Sequence, residues 1–152
     1  MKIILDKDRM MSNEYRNKAK GWFERGKTEE DIFIKFILFY ISFEVFVKVE
    51  NLNKYKLNKD IENKFFNQID FNMLQELKKI LDKNPLKNMQ NKSKPPVKLD
   101  SVNDFENILN FIRVSRNNLF HGDKNLNIDR DKMIVSFGCQ ILEVLLKNMR
   151  ID

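Results

Sequence analysis

Residues that break helices or hold metals are scarce in this chain. Its 152 residues include four glycines, three prolines, one cysteine and one histidine. So few glycines and prolines argue for long helices and few tight turns. The single cysteine, Cys139, excludes an internal disulfide framework and any cysteine-cluster metal site. It suits a reducing cytosol and reads as a packing residue. One histidine with one cysteine cannot supply the usual zinc or iron ligand set, so no metal is expected. There is no Walker-type glycine loop and no dinucleotide fingerprint, so no cofactor is expected either. A Cys–His nucleophile pair is set aside, because Cys139 lies within an apolar helical stretch. The apolar run at residues 1–5 is too short for a signal peptide. The long apolar run at residues 32–49 is interrupted by Lys35, Glu44 and Lys48, which a membrane span would rarely carry. A cytoplasmic protein without a membrane partner is expected.

What is abundant is phenylalanine and lysine. Thirteen phenylalanines and a 42% apolar share allow an aromatic-rich core, and one domain over residues 1–152 is expected. The net charge of +6 permits a polyanionic partner such as RNA, although lysine richness also serves plain solubility.

The spacing predicts a first helix over about 6–25, ended by Gly26. Thr28, three residues before Asp31, is the expected N-cap of a second helix running to about residue 52. Apolar positions from Ile32 to Val47 cover most of that helix's circumference. Several neighbours must therefore cover it, and a dimer partner is one candidate. Shorter helices are expected at about 61–68 and 71–81, the latter with Leu74, Leu77 and Leu81 on one side. Pro85 and then Ser93-Lys94-Pro95-Pro96 mark an irregular segment up to residue 100. Its lysines (Lys83, Lys87, Lys92, Lys94, Lys98) could meet phosphates, but a solvated loop is the preferred reading. Another helix starts near Asp104, with Asn103 and Glu106 as its capping pair. Asp129 is expected to cap the last helix, whose stripe is Met133 or Ile134, Phe137, Ile141, Leu145 and Met149. Gly138 within it costs ~1 kcal/mol relative to Ala, which suggests a close helix–helix approach. The expected fold is all-α, a four- to five-helix bundle.

One stretch draws attention: Val114-Ser115-Arg116-Asn117-Asn118-Leu119-Phe120-His121-Gly122. The apolar stripe of its helix runs Phe105, Ile108, Leu109, Ile112, then Leu119 and Phe120. Arg116 falls on that stripe, where a charged guanidinium needs acceptors or water. Asn117 and His121 are i, i+4 neighbours. Gly122 is the expected C-terminal cap, which places the imidazole in the last turn.

This stretch resembles the signature of the HEPN superfamily, the nucleotide-binding domains of higher eukaryotes and prokaryotes. That signature is an Arg, a polar residue, a few more positions and a His, here Arg116, Asn117 and His121. Gly21-Trp22-Phe23-Glu24 and the run at 31–47 resemble the opening helices of bacterial members. Asp129-Arg130-Asp131 with the apolar helix after it resembles their closing element. The likeness covers most of the chain, with the middle (roughly 51–100) contributing little. It implies a HEPN-type bundle that dimerises through its motif helices, with the paired motifs forming a metal-independent RNase site. Carried over by position, Arg116 and His121 are the catalytic candidates and Asn117 orients a phosphate or the imidazole. Asn118 is a further supporting candidate. Glu44 reads in two ways: as an i, i+4 partner of Lys48, or as a polar anchor for Arg116 or His121, since the family often has Asn or an acid in this helix.

An Arg–His pair without metal suits RNA cleavage by internal transesterification. The ribose 2′-hydroxyl attacks the adjacent phosphorus, a base removes its proton, and an acid protonates the departing 5′-oxygen. Imidazole can fill either role near neutral pH. Guanidinium donates two parallel hydrogen bonds to phosphate oxygens as charge builds on them. A two-fold dimer would place two Arg and two His in one cleft. The expected function is a cytoplasmic endoribonuclease acting on RNA as a homodimer, in a toxin–antitoxin or anti-phage defence setting. An antitoxin or a nucleotidyltransferase-like protein would be its further partner. The alternatives are a non-catalytic HEPN module binding a nucleotide or such a partner, and a helical adaptor whose Arg and His are structural.

Overall fold

The computed structural model describes residues 2–50, 52, 57–89, 91–120 and 129–148, with side chains from residue 13 onward. Among these residues the chain forms six helices: α1 (Lys2–Thr28), α2 (Ile32–Val49), α3 (Lys59–Gln68), α4 (Phe71–Lys83), α5 (Phe105–Phe120) and α6 (Asp129–Asn148). No strand occurs among them. Leu86 and Val97 alone pair across an isolated antiparallel bridge. The all-α class is as expected. The six are four longer helices and the two shorter central ones that the spacing predicts, one more than a four- to five-helix bundle.

The nearly all-round apolar surface of α2 explains its place in the bundle. Phe33, Phe36, Phe39, Tyr40, Phe43, Phe46 and Val47 are all buried, and α1 and α6 both pack along this helix. An isolated helix with so little polar face could not stay in water, so its neighbours are dictated by its own composition. Ser42, fully buried, donates its hydroxyl to the Ala19 carbonyl of α1 at 2.6 Å.

Two sequence expectations shift at the α1–α2 turn. Gly26 does not end α1, which continues to Thr28. A Cβ at Gly26 would lie 2.7 Å from the Phe39 ring, so this glycine lets α1 approach α2. The N-cap of α2 is Asp31 and not Thr28. The Asp31 carboxylate accepts from the backbone N–H groups of Phe33 and Ile34 at 2.9 and 3.2 Å. Thr28 instead donates to the Arg25 carbonyl within the last turn of α1.

Gly138 of α6 is a close-approach residue, as its mid-helix position suggests. A Cβ there would lie 2.6 Å from the ring of Phe36, which is fully buried. Gly138→Ala is therefore expected to lower the unfolding free energy by about 1–3 kcal/mol, because overpacking outweighs the helix-propensity gain. Adding Phe36→Leu should return part of that stability. A urea-denaturation cycle over the four proteins measures it, and strictly additive effects would refute the account.

The rest of the core follows the spacing. Leu74, Leu77 and Leu81 of α4 are fully buried. Phe65 and Phe66 of α3 pack on Phe105 with ring centroids 5.4 and 5.7 Å apart, which joins α3 to the start of α5. On α6 the stripe begins at Ile134, while Met133 is 44% exposed. Met149 lies outside the described residues. Asp104, rather than Asn103, opens α5. Its carboxylate accepts from the Asn107 backbone N–H at 3.2 Å and from the Asn107 side-chain amide at 2.7 Å. Burial alone would raise the Asp104 pKa. Hydrogen bonds from the Asn107 side chain and from the backbone N–H groups of Asp100 and Asn107 outweigh it and hold the carboxyl below its ordinary value.

Candidate active site at the end of α5

Arg116 lies in the last turns of α5, which Phe105, Ile108, Ile112 and Val114 anchor in the core. Its guanidinium rests over the Phe120 ring, one turn further on, with 4.6 Å to the centroid. The Tyr40 ring of α2 is 5.8 Å away. Nη1 donates to the Asn117 side-chain carbonyl at 3.2 Å. Nε is buried and has no hydrogen-bond partner. The acceptors expected for a charge on the apolar stripe are thus largely replaced by aromatic faces, to which a weakly hydrated guanidinium is suited. One buried donor, Nε, is left without a partner. Phe120 is 57% exposed, so this end of α5 faces solvent.

Asn117 is half-buried beside Arg116. Asn118 turns the other way and is 1% exposed. Its amide nitrogen donates to the Lys87 carbonyl at 2.8 Å, and its oxygen accepts from the Met89 backbone N–H at 2.9 Å. Both ends of this amide therefore hold the segment between α4 and α5. Glu44 is half-buried and forms no ion pair with Lys48 among the described residues, so the i, i+4 pairing is not made. It stands one turn after Tyr40 on α2, on the side of that helix that meets Arg116. His121 and the expected cap Gly122 lie outside the described residues.

Sequence reasoning missed Tyr40 and Phe120 as the seat of Arg116. The i, i+4 spacing of Arg116 and Phe120 was a usable signal. Tyr40 lies on another helix, and nothing local marks it.

No group of three His, Cys, Asp or Glu side chains converges as a metal site among the described residues. Cys139 is buried, and its thiol donates weakly to the Ile32 carbonyl at 3.6 Å. Burial pushes its pKa up to about 12, so it stays a neutral thiol at any ordinary pH. Away from Arg116, a cavity of about 200 Å³ opens between α1, the end of α2, α3 and α6. Its charges neutralise one another, Arg16 with Glu50 and Lys64 with Asp60. No described helix is long and apolar enough to cross a membrane. No family model, curated protein or solved structure matches the chain.

Proposed function

We propose that this chain is a metal-independent endoribonuclease of HEPN type, acting as a homodimer, in a toxin or defence role. The observation that carries the reading is Arg116: a guanidinium seated on two aromatic rings, with an unfilled donor, five residues before the only histidine. The two ring contacts restrain the guanidinium before substrate arrives, so less freedom is lost when it binds a phosphate. RNA supplies the nucleophile, its 2′-hydroxyl. His121 moves the proton, as base at the 2′-oxygen or as acid at the 5′-oxygen, and the second subunit's imidazole takes the complementary role. Arg116 stabilises the charge that grows on the phosphoryl oxygens.

The test is incubation of purified protein with RNA in excess EDTA. Fragments ending in 2′,3′-cyclic phosphate and 5′-hydroxyl are expected, as is growth arrest on expression that His121→Ala relieves. Products ending in 3′-hydroxyl, or a strict metal requirement, would overturn the mechanism. RNA bound but left intact would favour the non-catalytic module.

A further inference from the structure

The segment between α4 and α5 is held in a defined shape. Leu86 and Val97 exchange backbone hydrogen bonds at 2.9 and 2.8 Å. Around that bridge, burial alternates along the chain. Leu86, Asn88, Val97 and Leu99 point inward, and Lys87 and Lys98 point to solvent. Lys92 and Lys94 are exposed at the tip. From Lys83 to Lys98 the chain carries five lysines and no acidic residue. Among the described residues none of the five makes an ion pair. Several helix lysines differ: Lys59, Lys64, Lys78 and Lys147 each have an acidic neighbour on the same helix. The positive charge of this hairpin is therefore uncompensated and concentrated, and Asn118 fastens it to the helix end that carries Arg116.

We infer that the 84–99 hairpin is a phosphate-tracking arm for single-stranded RNA, clamped by Asn118 so that a strand crossing the end of α5 meets both the arm and Arg116. Residues two apart on a helix lie on nearly opposite sides, so arm and guanidinium flank the end of α5 about one helix diameter apart, ~10–12 Å. Asn117 sits between them. A flat anionic surface would also attract the lysines. The exposed Phe120 ring beside a guanidinium favours a nucleic acid, because it offers a stacking face for a base next to a phosphate donor. The inference rests on the endoribonuclease reading for where the scissile phosphate lies, and its test is independent of cleavage.

Full-length His121→Ala protein is titrated with a fluorescent single-stranded RNA at several salt concentrations. Changing Lys87, Lys92, Lys94 and Lys98 together to Ala should weaken binding at least ~10-fold. It should also flatten the dependence of log K on log salt by about 0.7 for each phosphate the arm no longer neutralises. A control that changes Lys18, Lys20, Lys79 and Lys132 to Ala should leave the slope unchanged. All eight side chains are exposed, and a thermal melt confirms that each variant is folded. Equal slopes for the two variants would overturn the arm while leaving cleavage untouched. Arm-dependent binding by a protein whose His121 form cuts no RNA would uphold the arm and remove the nuclease reading. Unchanged RNA affinity with arm-dependent binding to phosphatidylserine vesicles would overturn the inference in favour of a membrane surface.

Discussion

Arg116→Ala is expected to slow RNA cleavage by about 10²–10³-fold, the usual cost of removing one preorganised donor from a developing oxyanion. Arg116→Lys should recover little. An ammonium keeps the charge but loses the planar fork, the Nε donor and the stacking on Tyr40 and Phe120 that orients it. The measurement is a single-turnover rate on a short RNA in EDTA, so that binding and product release do not mask the chemical step. A melt belongs beside it, because the cation–π contact with Tyr40, worth about 0.5–2 kcal/mol, also ties α5 to α2. Cleavage by Arg116→Ala within about threefold of the parent would place the chemistry elsewhere.

Asn118→Ala should be the more damaging change to the fold. The residue is buried and its amide is used at both ends. Truncation leaves the Lys87 carbonyl and the Met89 N–H without their partner, at about 1–3 kcal/mol for each group that water cannot reach. A drop of about 2–4 kcal/mol in urea denaturation is expected on that scale. The local signature is more telling than the global one. The Met89 amide should lose its protection from hydrogen exchange, while amides of α2 and α6 keep their ranking. Undiminished protection at Met89 would show that something else holds the hairpin. If the hairpin guides RNA, Asn118→Ala should also weaken binding without removing a positive charge, which separates placement of the lysines from their number.

The two neighbouring asparagines show how far a linear motif can be read. Asn117 and Asn118 carry the same side chain and adjoin in the sequence, yet helix geometry turns them about 100° apart. One meets a guanidinium and the other is buried against a segment about thirty residues upstream. The resemblance grouped Asn118 with the site. Its bonds make it the tie between α5 and the lysine hairpin. Glu44 could be placed on α2 from spacing alone, whereas its pairing with Lys48 was an assumption of local contact that the fold does not make.

Glycine gave both outcomes. Gly138 was legible because an uncapped glycine deep inside an apolar helix needs a packing reason, and Phe36 supplies it. Gly26 sat near a polar stretch and read as a stop. Its true constraint is the Phe39 ring on the next helix, which no local rule registers.

Local spacing was sufficient for the helices themselves, their apolar sides, and the placing of Arg116 near the end of α5. Those features depend on neighbours within one or two turns, and a 3.6-residue period writes such neighbours directly into the order of residues. Three-dimensional packing settled which asparagine meets which backbone, which rings receive the guanidinium, and which glycine separates two helices. Most of those pairs join parts of the chain far apart in order, and chain order carries no distance between them until the core has formed.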